Sequence, residues 1–293
     1  MTDDVQTQML DIGRRAKAAA RVLATAPAEV KNRALMLAAE ALRNRAPEIK
    51  AANAIDMAAG EAKGLGKAML DRLLLDDGRI EAMARGLEDV AALADPVGRV
   101  LTEWDRPNGL HIQRVATPLG VIGIIYESRP NVTADAGALS LKSGNAAILR
   151  GGSESYNSSH AILACLHLGL EQAGLPIDCI QMVPTTDRAA VGVLLRMDQF
   201  VDVIVPRGGK SLIERVSAES RIPMFKHLDG ICHTYVHAAA DPDTARKLVF
   251  NAKMRRTGIC GATETLLIDR AVAPALLPGM AADLSAAGCE LRG

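Results

Sequence analysis

Apolar residues return at helical spacing through the first third of the chain. Val30, Ala34, Leu37, Ala38 and Ala41 fall on one face of a helix. Residues 1–94 are rich in Ala, Leu, Arg, Lys and Glu and poor in β-branched side chains, which favours helix. Gly64-Leu-Gly66 and Asp76-Asp-Gly78 interrupt the pattern, so several helices are expected rather than one. Asp95-Pro-Val-Gly98 closes the region. Residues 99–118 then read as two strands around Arg106-Pro-Asn-Gly109, a strong turn signal. This extended, polar ribbon suits an arm that pairs with another subunit, and an ordinary surface hairpin fits it equally well. From Leu119 onward short apolar runs alternate with amphipathic segments of helical length. The runs are 120–126, 146–149, 180–183, 201–205 and 231–236. Such alternation predicts an α/β fold whose parallel sheet is covered on both faces, with ligands at the carboxyl ends of the strands.

Composition narrows the class of function. The 293 residues carry 34 acidic and 34 basic side chains, so no global field draws in nucleic acid or an anionic membrane. Aromatic residues are 2% of the chain, too few for base-stacking surfaces. No apolar run is long enough to span a bilayer, and the first residues lack the basic and apolar regions of a signal peptide. Five cysteines without CxxC spacing fit a reducing compartment, so a cytoplasmic protein is expected.

The polar motifs follow the expected strands. Glu127-Ser-Arg-Pro-Asn131 precedes a helical stretch. Pro130 suits a first helical turn, and Asn131 either caps that helix, the locally favoured reading, or offers its amide to an oxyanion. In Arg150-Gly-Gly-Ser-Glu154, Gly151 and Gly152 let backbone approach a ligand, Arg150 can fork onto a phosphate, and Ser153 is placed to cap the next helix. A nucleotide phosphate, including a 2′-phosphate, fits this arrangement; a tight turn with a solvated arginine is the alternative. Pro206-Arg-Gly-Gly-Lys-Ser211 ends like a P-loop, but Ile204 stands where that motif requires glycine, and there is no GxGxxG. A triphosphatase or kinase-like binder is therefore rejected, and a shorter anion-binding turn at Pro206, Arg207, Gly208 and Gly209 is retained. His233 and His237 would stand about 13 Å apart on a strand, and neither they nor His227 have a carboxylate cluster, so no metal site is expected. Cys260 follows Arg255-Arg256-Thr-Gly in a loop of small residues, where nearby cations favour the thiolate. It reads either as an acyl-accepting nucleophile or as one more small buried hydrophobe.

Together these motifs resemble glutamate-5-semialdehyde dehydrogenases, also called gamma-glutamyl phosphate reductases, of the aldehyde dehydrogenase superfamily. The likeness runs in order through Met69-Leu-Asp-Arg-Leu73, Asp95-Pro-Val-Gly98, Pro118-Leu-Gly-Val-Ile-Gly123, Tyr126-Glu-Ser-Arg-Pro-Asn-Val-Thr133, Leu141-Lys-Ser-Gly-Asn145, Leu149-Arg-Gly-Gly152, Leu195-Arg-Met-Asp198, Pro206-Arg-Gly-Gly209 and residues 251–267. The resemblance implies NADPH-dependent reduction of L-glutamyl 5-phosphate in proline biosynthesis, through a thioester on Cys260, with Asn131 and backbone amides holding the oxyanion. It implies that Arg150, Gly151, Gly152 and Ser153 meet the cofactor's adenosine end, and that residues 206–209 form the next cofactor-domain turn. Arg255 and Arg256 are candidates for the substrate phosphate from their charge and position alone. The glutamate base of hydrolytic relatives is absent, since the corresponding stretch reads Lys226-His-Leu-Asp-Gly-Ile231. The implied fold is an NADP-binding domain over 1–250 with a projecting arm at 99–118. The catalytic domain would begin at 251 and be left incomplete at Gly293. A homo-oligomer is implied, and the competing expectation is an inactive module that only binds nucleotide or pairs subunits.

Overall fold

The Ala- and Leu-rich first third folds into helices α1 (Thr2–Leu23), α2 (Ala28–Asn44), α3 (Ala46–Ala62), α4 (Lys67–Leu73) and α5 (Asp77–Ala92). They are seen in a computed structural model that describes residues 2–127, 129–226, 230–257 and 259–293. The expected breaks lie between α3 and α4 and at Asp76, whose carboxylate caps α5 by accepting from Arg79 N at 2.8 Å. On α2 the buried stripe is centred on Lys31, Ala34, Leu35, Ala38, Ala39 and Leu42. Val30 and Ala41 form its half-buried flank.

Strands β1 (Val100–Asp105) and β2 (His111–Val115) pair antiparallel, with Trp104 opposite Ile112. Gly109, at φ 85°, closes the turn by donating to Arg106 O. All but one of the strand positions are exposed, as an arm or surface ribbon would be.

Next come β3 (Val121–Tyr126), α6 (Val132–Lys142), β4 (Ala146–Arg150), α7 (Tyr156–Ala173), β5 (Ile180–Met182), α8 (Ala189–Leu194), β6 (Val203–Arg207) and α9 (Lys210–Glu219). The four strands form one parallel sheet in the order β5-β4-β3-β6. Strands β3, β4 and β5 are almost wholly buried because helices cover the sheet. α7 packs on α2 through Gly169, where a Cβ would come within 2.3 Å of Ala34 O and 2.8 Å of Ala38 N. Gly169→Ala is therefore expected to destabilise the chain by about 1–3 kcal/mol through overpacking. A lowered urea midpoint would report this, and an unchanged midpoint would refute so close a contact.

The run at 231–236 becomes β7 (Cys232–Val236), but it does not join that sheet. It pairs in parallel with β8 (Thr263–Ile268). α10 (Pro242–Met254) and α11 (Ala273–Ala286) complete a second small core around Val236, Ala245, Val249, Met280 and Leu284. The chain accordingly divides into compact units Met1–Lys226 and His227–Gly293. Sequence places the division at 250; it falls earlier because β7 finds its partner in β8 and α10 packs within the same core. Among the described residues no helix is long and apolar enough to cross a membrane.

Candidate functional site

In the first unit the polar motifs gather at the carboxyl ends of the parallel strands. β3 ends at Tyr126, beside Arg207 at the end of β6. The buried Tyr126 hydroxyl meets Thr133 Oγ1 at 2.7 Å. Burial pushes this phenol above its ordinary value. Its ring lies 3.2 Å from where a Gly151 Cβ would stand, so Gly151 is needed first to admit Tyr126.

Arg150 is not a solvated arginine. It is 9% exposed and turns inward, with Nη1 donating to Gly151 O and Nη2 to Thr186 O at 3.1 Å. Desolvation pulls its guanidinium below the usual arginine value, with Glu154 acting the other way. One donor thus ties β4 to the loop after β5 and another closes onto the neighbouring Gly151, while the buried Nε has no partner.

Ser153 does not cap the next helix. It begins a short 3₁₀ turn, Ser153–Ser155, and its hydroxyl meets Glu154 Oε2 at 3.4 Å. The first turn of α7 is satisfied instead by Asp56 of α3. That carboxylate accepts from Asn157 N, Asn157 Nδ2, Ser158 N and Ser158 Oγ. The anion position at this helix start is already filled from within the chain. At Gly152, an added Cβ would strike the Glu154 carboxylate at 2.2 Å.

Asn131 stands at the N-cap of α6 but makes no capping bond; its side chain donates to Asp135 Oδ2 at 3.0 Å. Desolvation raises the Asp135 carboxyl above the usual range, against the pull of that bond. Pro130 sits in the turn just before α6, where its carbonyl accepts from Thr133 N.

The turn at residues 206–209 leads from β6 into α9. Pro206 lies opposite Ile125 in the sheet, and Arg207 is exposed with its carbonyl accepting from Glu127 N. Gly209 is the N-cap of α9, and its N–H donates to Glu127 Oε2 at 2.9 Å. A Cβ on Gly208 would stand 2.6 Å from that oxygen. Here an anion, a carboxylate oxygen of the chain itself, does occupy the helix start. Two observations therefore fit a phosphate-bearing cofactor at these strand ends: the orphaned Arg150 Nε and the glycine cradle that already accepts Glu127.

In the second unit Cys260 lies in the turn between α10 and β8 and is exposed, not a buried hydrophobe. Arg255 and Arg256 follow α10 and are also exposed. The carbonyl of Cys260 accepts from the Cys232 thiol at 3.2 Å. His233 Nδ1 meets Ile231 O, and His237 Nδ1 accepts from Ala239 N. Among the described residues no cluster of three His, Cys, Asp or Glu is placed to hold a metal ion, and His227 and Asp229 lie outside those residues.

Sequence reasoning missed Asp56, the Glu127 carboxylate, Asp135 and the contact from Cys232. Only the Asn131–Asp135 pair had a local signal, its i,i+4 spacing on a helix.

The model of the aldehyde dehydrogenase family matches residues 2–289. The chain is 67% identical over 292 residues to the gamma-glutamyl phosphate reductase of Rhodospirillum rubrum, covering 100% of this chain and 68% of that protein. It is 66% identical to the protein of the same name from Paramagnetospirillum magneticum, covering 99% of this chain and 69% of that one. Among solved structures, gamma-glutamyl phosphate reductase from Thermotoga maritima matches with a TM-score of 0.89 at 38% identity, over 96% of this chain and 68% of that one. The chain belongs to the aldehyde dehydrogenase family, in its gamma-glutamyl phosphate reductase branch.

Proposed function

We propose that this chain reduces L-glutamyl 5-phosphate to L-glutamate 5-semialdehyde and phosphate, with NADPH as its cofactor, in the cytoplasm. The observation that carries this reading is an exposed Cys260, on the turn entering β8, in a chain two-thirds identical to proteins named for that reduction. The Cys260 thiolate attacks the acyl carbon, the carbon–oxygen bond to phosphate breaks, and phosphate leaves with the electron pair. A thioester on Cys260 results. The nicotinamide that this family uses supplies a hydride when bound. Cys260 then departs as thiolate and the semialdehyde is released. Arg255 and Arg256 are assigned to the substrate phosphate. Asn131 is assigned to the oxyanion, for which its amide must first leave Asp135. Arg150, Gly151, Gly152 and Ser153 are assigned to the adenosine end of the cofactor. Residues 206–209 are assigned to its phosphates, for which Glu127 must yield Gly209 N–H.

The test is the reverse reaction. Purified chain receives pyrroline-5-carboxylate, the cyclised form of the semialdehyde, with NADP⁺ and phosphate, and NADPH absorbance is followed. Phosphate-dependent reduction is expected. The chain spans 68% of the Rhodospirillum relative, and a second reading is a chain that binds cofactor without turnover. It predicts NADP⁺ binding with no absorbance change.

The β1–β2 arm is proposed to pair with a second copy, since a lone two-stranded ribbon is marginal in water. Trp104, the single tryptophan, is 44% exposed on β1. Its emission is expected to shift to shorter wavelength as concentration and scattering mass rise; emission independent of mass would count against the pairing.

A further inference from the structure

Cys232 opens β7, and its half-buried thiol donates to Cys260 O at 3.2 Å. The same carbonyl lies against Gly230, where an added Cβ would stand 2.6 Å from Cys260 O and 3.7 Å from Cys260 Cβ. Cys232 is also paired across the strands with Thr263, so the segment carrying Cys260 returns directly over it. The 3.2 Å contact sets the Cys232 sulfur directly against the backbone of Cys260, and a disulfide between them needs a Cβ–Cβ span of about 3.5–4.5 Å. The contact lies wholly within the second unit, and sequence spacing gives no hint of it. We propose that Cys232 is a resolving thiol for Cys260, so that mild oxidation closes a reversible Cys232–Cys260 disulfide. Its use as a shield for the nucleophile rests on the function proposed above; the bond itself does not.

The chemistry balances with one peroxide as the oxidant. Cys260 thiolate attacks a peroxide oxygen, the O–O bond breaks, and sulfenic acid and hydroxide form. Cys232 sulfur, giving up its proton, then attacks the sulfenic sulfur and displaces the hydroxyl as water. Two thiols lose two hydrogens, and one peroxide becomes two waters. The other cysteines compete poorly. Cys165 and Cys179 are buried, and burial pushes their thiols up to about 11 and about 12. Cys289 lies beyond α11, turned toward Glu290 O at 3.7 Å.

The full chain, reduced and desalted, is treated with equimolar hydrogen peroxide and mapped as peptides without reductant. The peptide bearing Cys232 is expected to be joined to that bearing Cys260, with loss of two hydrogens, and dithiothreitol should part them. Cys232→Ser should convert this reversible change into irreversible over-oxidation of Cys260 at the same dose. Sulfinic acid on Cys260 beside a free Cys232 thiol, or a bond to Cys289 instead, would overturn the proposal. Reductase activity should fall as the linked form accumulates and return with dithiothreitol. If the bond forms while the reduced chain shows no turnover, the thiol pair stands and the proposed reaction fails.

Discussion

Cys260→Ser is expected to abolish phosphate-dependent NADP⁺ reduction, a loss on the order of 10⁴-fold or more, as when other covalent nucleophiles are removed. Sulfur serves twice in the proposed reaction, as attacking group and as leaving group from the acyl carbon. A serine hydroxyl ionises far less readily near neutral pH and is a poorer leaving group. The fold should be indifferent, because Cys260 is exposed on a turn and such substitutions usually lie within about 0.5 kcal/mol. NADP⁺ affinity should also be unchanged, since the strand-end residues assigned to the cofactor belong to the other unit. Activity, urea midpoint and cofactor binding measured side by side separate the cases. Serine enzyme retaining activity within tenfold of wild type would exclude the thioester. A wild-type chain as inactive as the variant, with both binding NADP⁺, would favour the non-catalytic reading.

Parts of this architecture could be read from sequence because the relevant physics is local. The apolar runs that became β3, β4 and β5 are nearly continuous, as strands buried on both faces must be. Sequence groups β7 with them, yet its positions alternate between half-buried or buried and exposed. That burial shows a strand covered on one face only, a feature its mixed residues Cys-His-Thr-Tyr-Val do not announce. Choice of partner strand also has no local signature. The strand-end motifs lie at the carboxyl ends of the parallel strands, but two of their side chains have partners that the sequence does not reveal. Sequence reads Arg150 as forking onto a phosphate or as solvated, but its burial depends on how the loop at Thr186 folds over it, which no nearby residue encodes. Ser153 was read as a cap, but that work falls to Asp56, on a different helix and 101 residues before Asn157.

Asp56→Ala is expected to cost about 3–5 kcal/mol, taking about 1–3 kcal/mol for each buried donor left unpaired and allowing for partial relaxation. Asp56 is 3% exposed, and its carboxylate meets the first turn of α7 at both oxygens. Oδ1 accepts from Asn157 N at 3.2 Å and Nδ2 at 2.8 Å; Oδ2 accepts from Ser158 N at 2.7 Å and Oγ at 2.6 Å. Ser155 at the N-cap makes no side-chain capping bond to the backbone of this turn, so those N–H groups have no substitute from their own helix. The negative charge also opposes the positive end of the helix dipole. Asp56→Asn keeps one acceptor oxygen but loses the charge and turns an amide N–H₂ toward other donors, so it should fall between alanine and wild type. The urea midpoint reads the order directly; alanine and wild type within about 0.5 kcal/mol, the usual spread for surface changes, would show that the carboxylate does not hold the helix. A second consequence reaches the proposed site. Ser159 donates to Ser155 Oγ at 3.5 Å at this start of α7 and, against burial, lowers the pKa of the Tyr126 hydroxyl, whose ring lies against Gly151. Loosening that turn should displace Tyr126 and the Arg150-Gly151-Gly152 loop together. NADP⁺ affinity should therefore fall in Asp56→Ala under conditions where the variant is still folded, whereas Gly169→Ala, farther along the same helix, should lower stability with affinity preserved.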